Sequence, residues 1–132
     1  MYDNEPFRNV FPTDPADPDY DEEAAKEGDL AAKEENEKLL AFMRGADIVI
    51  HDSQYTAKEY SAGKIGWGHS SYEYAINAAH NARAKRLLLF HHDPNRSDAE
   101  LQELELFYQA KLAGRTTLGV EMAREGTTYT IA

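Results

Sequence analysis

Leu87-Leu88-Leu89-Phe90-His91-His92-Asp93-Pro94 is an apolar run that ends in two imidazoles and a carboxylate. A continuous apolar run of this length is typical of a strand that is buried on both faces. Ile48-Val49-Ile50-His51-Asp52 repeats the pattern earlier in the chain. Each run follows a segment with helical signals, and helices alternating with buried strands indicate an α/β protein. We therefore predict strands at 46–52 and 85–91 that place ionisable side chains at one site.

Gly66-Trp67-Gly68-His69-Ser70-Ser71 lies between the two strands. The glycines free the backbone, and Ser70 with Glu73 matches a capping box that would start a helix running to about Arg83. An anion such as phosphate at that helix N-terminus would meet free amides. Asp52 could hold the imidazole of His69 in one tautomer, and such a pair suits proton donation to a leaving oxygen. The alternative is that His69 only completes a turn.

His91 and His92 have the same two interpretations. Either could be a metal ligand, or a backbone carbonyl could satisfy the imidazole. Since a strand sends adjacent side chains to opposite sides, at most one of the two should face a metal.

Other local signals predict the remaining elements. Asp29 is expected to cap a helix that runs to about Arg44, and Ser97 with Glu100 forms a second capping box. Further predictions are an acidic, proline-rich loop at 9–28, a long connection at 53–68, a helix from Ser97 that ends at Gly114, and a hairpin formed by 117–123 and 127–131.

Composition limits the classes of protein. The 132 residues suffice for one domain, and the net charge of −10 arises from 24 acidic and 14 basic side chains. The excess acid lies in residues 1–37, and no basic surface suited to duplex nucleic acid is evident. With no cysteine, any metal must be held by His, Asp or Glu. The chain has no apolar stretch long enough to cross a bilayer, and we expect a cytoplasmic protein.

Three strings taken in order, 46–55, 66–71 and 89–94, resemble the C-terminal half of metallo-β-lactamase-fold hydrolases. The branch they resemble most contains phosphodiesterases and ribonuclease Z. The resemblance implies one half of an αββα sandwich, with a mixed sheet, helices on one face and a C-terminal hairpin. It also implies a hydrolase of phosphodiester bonds that uses two divalent metal ions, for which zinc, manganese and iron all suit such N and O ligands.

The same resemblance assigns roles to individual residues. Asp3 matches the aspartate that bridges two metal ions, and His91 matches the last histidine ligand. His69 matches the histidine of a Gly-His-Ser-Thr string that protonates the leaving group, which makes Ser70 and Ser71 substrate-binding candidates. Asp52 falls where the ribonucleases have a glutamate paired with this histidine.

One part of the family pattern is missing. The His-x-His-x-Asp-His string that binds most of the metal does not occur in this chain. We therefore expect a downstream half that is active only with its N-terminal half, exposes apolar surface and associates with that half or with a second copy, as a homo-oligomer, to act on a small phosphodiester. The alternatives are a non-catalytic half-domain that binds a partner chain or ligand, and a weak single-metal site formed by Asp3, His91 and water.

Overall fold

The computed structural model describes residues 1–131. It contains two compact units, one formed by Met1–Glu5 with the chain from Met43 onward, the other by Pro6–Phe42. The helices and strands, in chain order, are α1 (Glu22–Met43), β1 (Ile48–Asp52), α2 (Ala57–Gly63), α3 (Tyr72–Asn81), β2 (Arg86–Phe90), α4 (Asp98–Leu112) and β3 (Gly119–Met122). Within residues 1–131, no helix combines the length and the apolar character needed to span a bilayer.

The three strands form one parallel sheet in the order β1-β2-β3. Asp52 is opposite Phe90 in the register, so the carboxyl ends of β1 and β2 lie side by side. One face of the sheet is buried, with Val49, Leu87 and Leu89 at 5%, 0% and 0% exposure. Helix α3 packs on this face, since the rings of His51 and Tyr74 are 5.9 Å apart.

Helix α4 packs beside α3 and along β3. The rings of Tyr72 and Tyr108 are 5.7 Å apart, and the Tyr108 hydroxyl donates to Glu73 at 2.8 Å. Gln109 donates from its side chain to the Val120 carbonyl at 2.8 Å. The helices on this face and the strands between them confirm the predicted α/β class, whereas the αββα half-sandwich remains a prediction.

The sheet differs from the prediction in two respects: it is parallel rather than mixed, and residues 127–131 form no strand, so no C-terminal hairpin is present in the described chain. The predicted hairpin was wrong because α4 returns the chain to the start of the sheet, where β3 pairs with β2 in the same direction. A turn does follow, with Thr127 N donating to Arg124 O at 3.4 Å. Beyond it Tyr129 stacks near the guanidinium of Arg86, 5.4 Å from the ring centroid.

Residues 6–42 form their own unit around α1. The helix starts at Glu22, not at Asp29, so the second part of the predicted 9–28 loop is helical. Asp21 caps it, because its carboxylate accepts from Ala24 N at 2.8 Å. Asn9 donates to the Ala25 carbonyl at 2.7 Å, and a Cβ on Gly28 would lie 1.9 Å from Asn9 Oδ1. The absence of a side chain at Gly28 thus lets the preceding segment lie against α1.

The connection predicted at 53–68 contains α2, which the sequence analysis missed. Thr56 and Glu59 form its capping box, with Glu59 N donating to Thr56 Oγ1 at 3.2 Å. The cap of α3 is also one residue later than predicted: Ser71, not Ser70, accepts from Tyr74 N at 3.1 Å. The capping box of α4 at Ser97 is confirmed.

Candidate metal centre

Four side chains that can bind metal converge at the carboxyl edge of the sheet. They are Asp3, Asp52, His69 and His91, and one ligand atom from each lies within 4.8 Å of the others. Loops at the carboxyl ends of parallel strands are where α/β proteins commonly bind ligands. All four were predicted as site residues from the sequence, and the fold brings them together.

Asp52 and His69 are joined by a short hydrogen bond. The Nδ1–H of His69 donates to Asp52 Oδ2 at 2.6 Å, and Ser70 N donates to Asp52 Oδ1 at 3.3 Å. The Asp52 side chain is fully buried, while that of His69 is 19% exposed. The bond to Nδ1 leaves Nε2 as the ring atom that can exchange a proton with a bound molecule.

Backbone pairing places His69 above the end of β1. Gln54 N donates to Ser70 O at 3.0 Å, and Tyr72 N donates to Tyr55 O at 2.8 Å. The segment that follows β1 is therefore tied to the residues that follow His69.

Asp3 reaches the centre from a segment that lies along β1. The Met1 nitrogen donates to Ile50 O at 2.8 Å, and Asp52 N donates to Met1 O at 2.7 Å. Asp3 Oδ1 lies 3.9 Å from His69 Nδ1 and 3.7 Å from His91 Nδ1. Its φ of 44° is in the left-handed region, which is uncommon for a residue other than glycine.

His91 also has a left-handed backbone, with φ at 60°. Its ring centroid is 4.7 Å from that of His69, and Gln54 Nε2 donates to its Nδ1 at 2.9 Å. Non-glycine residues in such conformations cluster at functional sites, because the surrounding structure must hold them there. Two of the four residues in this cluster, Asp3 and His91, have such a left-handed backbone.

His92 is directed elsewhere, and its Nε2 donates to the Ala123 carbonyl at 3.1 Å. Only one of the two adjacent histidines therefore belongs to the cluster. The two rings point in different directions because the chain turns at His91, just beyond the last residue of β2. Simple alternation along a strand is not the cause.

Ser70 and Ser71, the substrate-binding candidates, are buried and use their hydroxyls internally. The Ser70 hydroxyl donates to the Asn4 carbonyl, and that of Ser71 caps α3. Their contact with a substrate stays a prediction, as do the catalytic roles of His69 and Asp52 and the metal-binding roles of Asp3 and His91.

Three residues near the centre were not identified from sequence as part of it: Glu5, His51 and Gln54. His51 is fully buried, its Nδ1–H donates to the Asp52 carbonyl at 2.7 Å, and its Nε2 accepts from the Asn4 amide at 3.3 Å. Burial lowers the pKa of this imidazole, which favours its neutral form. A polar residue directly beside a predicted site residue was the available signal for His51, and Gln54 lies two residues after Asp52.

The donor set suits a divalent transition metal. Two carboxylates and two imidazoles are typical ligands of zinc, manganese and iron. With bonds of about 2.0–2.2 Å, ligand atoms on opposite sides of an ion lie about 4 Å apart, close to the spread of this cluster. No second cluster of three or more such donors occurs among residues 1–131. These four residues alone therefore suit one ion, and a second ion would need ligands from elsewhere.

Comparison with known proteins gives one related sequence. Over 81 residues the chain is 31% identical to ribonuclease Z from Thermoplasma acidophilum, an alignment that covers 57% of this chain and 26% of the relative. The match thus spans about a quarter of the relative's length. No protein-family model matches the chain, and no solved structure matches it significantly. The similarity supports the superfamily expected from the three sequence strings and nothing narrower.

Proposed function

We propose that this chain supplies one side of the active centre of a metal-dependent hydrolase that cleaves phosphodiester bonds. The observation that carries the proposal is the 2.6 Å hydrogen bond between His69 and the buried Asp52, next to Asp3 and His91. The similarity to a ribonuclease supports the class of bond. A buried carboxylate bound to Nδ1 is the arrangement that orients an imidazole for proton transfer at Nε2.

Asp3 and His91 would hold the metal. A divalent ion bound there would act as a Lewis acid, neutralising charge on phosphate oxygens and favouring ionisation of water. We assign Asp52 and His69 to proton transfer because the proton they share occupies Nδ1, and Asp52 already accepts two hydrogen bonds. All four residues binding one ion is the alternative arrangement, and it would break the bond between Asp52 and His69.

His69 would protonate the leaving oxygen. In its imidazolium form the ring donates from Nε2 to the departing alkoxide, while Asp52 keeps the ring orientation through Nδ1–H. For His91 to bind the ion through Nε2, the Gln54 amide would turn so that its oxygen accepts from the Nδ1–H of His91, as partners of metal-binding histidines commonly do. Residues 38–132 carry 11 acidic and 11 basic side chains, and their sequence shows no basic surface suited to a long nucleic acid, which favours a small phosphodiester, either cyclic or nucleotide.

Further metal ligands would come from outside these residues, either from the N-terminal half of the same fold or from a second copy of this chain. Apolar exposure on the sheet face opposite α3 supports this association: Ile50 and Phe90 are 38% and 37% exposed. Tyr2 extends this face, with its ring 5.0 Å from that of Phe90. The same apolar face is what favours the second candidate function, a non-catalytic half-domain that binds a partner.

Metal content and intact mass of the protein purified from its native source separate the two functions. About two metal ions per active unit, with additional His-rich sequence in the same or a co-purifying chain, would support the hydrolase. Metal-free protein, of this mass and without such a companion, would contradict it and favour partner binding.

Site variants then test the residue roles. His69→Ala should abolish turnover of a bis-aryl phosphodiester by the active unit while metal content stays unchanged, and His91→Ala should reduce metal content. His80→Ala is the matched control, because His80 bonds Thr116 at 2.8 Å outside the cluster and should change neither quantity. Unchanged turnover in His69→Ala would refute the role of His69.

A further inference from the structure

The carboxylate of Glu5 binds the loop that precedes His69. Its Oε1 accepts from the Tyr60 hydroxyl and from Gly66 N, both at 2.6 Å, and its Oε2 accepts from Gly68 N at 2.9 Å. Three donors therefore converge on one side chain. Two of them are backbone amides of residues that flank Trp67.

The loop can present these amides because Gly66 and Gly68 adopt left-handed conformations, with φ at 86° and 88°. Backbone amides that point to one side in such turns often form a small concave site for an anion, and here they are those of Gly66 and Gly68, while Trp67 N donates to Lys64 O at 3.2 Å. In this chain the anion is the side chain of Glu5. Hydrogen bonds from N–H groups to an ionised carboxylate are stronger than those to neutral acceptors, so this contact should order the loop.

The same short segment also holds the other side of His69. The Ser70 hydroxyl donates to the carbonyl of Asn4, next to Glu5. His69 therefore lies between two attachments to one strand-like segment, and that segment also carries Asp3. The position of the imidazole relative to Asp3 and Asp52 depends on both attachments.

We infer that Glu5 is a positioning residue that holds the His69 loop in register with Asp52 and Asp3. The inference rests on the proposed function of His69, but its geometry can be tested without turnover. Without the carboxylate, the loop amides would lose their acceptor and the imidazole would lose its fixed distance to Asp52. In the active unit, Glu5→Gln should lower kcat about 10- to 100-fold with little change in KM, as is typical when a supporting residue is lost.

The primary experiment is NMR of the full chain without metal. Glu5→Gln keeps the size of the side chain but replaces one acceptor oxygen with an NH2 group. That group would face a donor of the loop, with which it cannot form a hydrogen bond. We expect the amide that faces the new NH2 group, Gly66 N or Gly68 N, to lose hydrogen-exchange protection by at least about 10-fold, and the Nδ1 proton of His69 to lose its signal as the bond to Asp52 breaks. A merely stabilising role would change the exchange rates but leave the His69 Nδ1 proton and its tautomer intact, which would overturn the inference.

Glu73→Gln is the matched control. Glu73 likewise accepts from a backbone amide, Ala57 N at 2.7 Å, and from a tyrosine hydroxyl, Tyr108 at 2.8 Å. The Glu73→Gln variant should leave the NMR signal of the His69 Nδ1 proton unchanged, and loss of the signal in this control would contradict a specific role for Glu5.

If Glu5→Gln does not fold, hydrogen exchange in the unmodified chain decides. Protected Gly66 and Gly68 amides support the inference, and unprotected ones overturn it. Lack of turnover in every preparation would refute the hydrolase proposal while leaving these NMR outcomes valid.

Discussion

Energetic coupling between Asp52 and His69 is the sharpest consequence of the site geometry. In His69→Ala the Asp52 carboxylate, which is fully buried in the unmodified chain, loses the donor at 2.6 Å and keeps Ser70 N at 3.3 Å, with His91 Nδ1 at 3.5 Å. A buried charge left with too few partners is destabilising, because it has lost water without compensation. Asp52→Asn removes the charge, so the double variant should recover part of the stability lost in His69→Ala.

The expected magnitude follows from the bond and its burial. A hydrogen bond to a charged group contributes about 1.5–3 kcal/mol to stability. The His69 side chain is 19% exposed, which allows water to compensate partly and places the expected value in the lower part of that range. We therefore expect a coupling free energy of about 1.5–2 kcal/mol between the two positions.

Urea denaturation of the four variants at neutral pH, with chelator present, measures this coupling. His80→Ala combined with Asp52→Asn is the control cycle, because His80 lies outside the site and the two changes should add within about 0.5 kcal/mol. If the effects of Asp52→Asn and His69→Ala also add within about 0.5 kcal/mol, the hydrogen bond does not stabilise the folded chain and the reasoning is refuted.

Three further predictions concern metal affinity and the core. His91→Ala should weaken zinc binding by at least about 10-fold in calorimetry, whereas His92→Ala should not, because the His92 ring bonds Ala123 outside the cluster. Burial raises the pKa of Tyr72 from 10.0 to about 12, so the folded state favours the neutral phenol; its contribution to stability is complete below pH 10 and is lost as pH rises toward 12. Between pH 9 and 11 the free energy of unfolding should therefore fall by about 1 kcal/mol less in Tyr72→Phe than in the unmodified chain. Urea titrations that show an equal fall in both proteins would contradict this. Leu89→Ala should lower the free energy of unfolding by about 2–5 kcal/mol, since the side chain is fully buried; a loss under 1 kcal/mol would show that the sheet core is not packed as described.

Local signals predicted the elements whose determinants lie within a few residues. The apolar runs of β1 and β2 and the capping box of α4 are of this kind, and all three predictions are confirmed. Helix α2 was missed although its capping box at Thr56 and Glu59 is a local signal, whereas the cap of α3 was misplaced for a non-local reason. Ser70 and Ser71 both precede α3 with a glutamate nearby, and the choice between them depends on Asn4, which accepts the Ser70 hydroxyl. A competing partner 66 residues away cannot be identified from the local pattern.

The direction of β3 is a second case of tertiary control. Residues 117–131 contain strand-like runs and a turn, which locally favour a hairpin. Pairing with β2 buries Val120 and Met122 on the sheet face that α3 and α4 cover, an outcome that a hairpin in solvent could not match. Burial of apolar area therefore outweighed the local turn signal.

The sequence by itself determined the α/β class, the strands β1 and β2, and Asp52, His69 and His91 as candidates, because apolar runs and residue chemistry are local properties; Asp3 was a candidate only through the family resemblance. Only the tertiary structure decided that their ligand atoms lie within 4.8 Å of one another. The tertiary structure also decided how these side chains are oriented. The left-handed backbone at Asp3 and His91 directs two of them, and the contacts of Glu5 hold the loop that precedes His69. Those geometries depend on hydrogen bonds between residues far apart in the chain, which exist only once the sheet has formed.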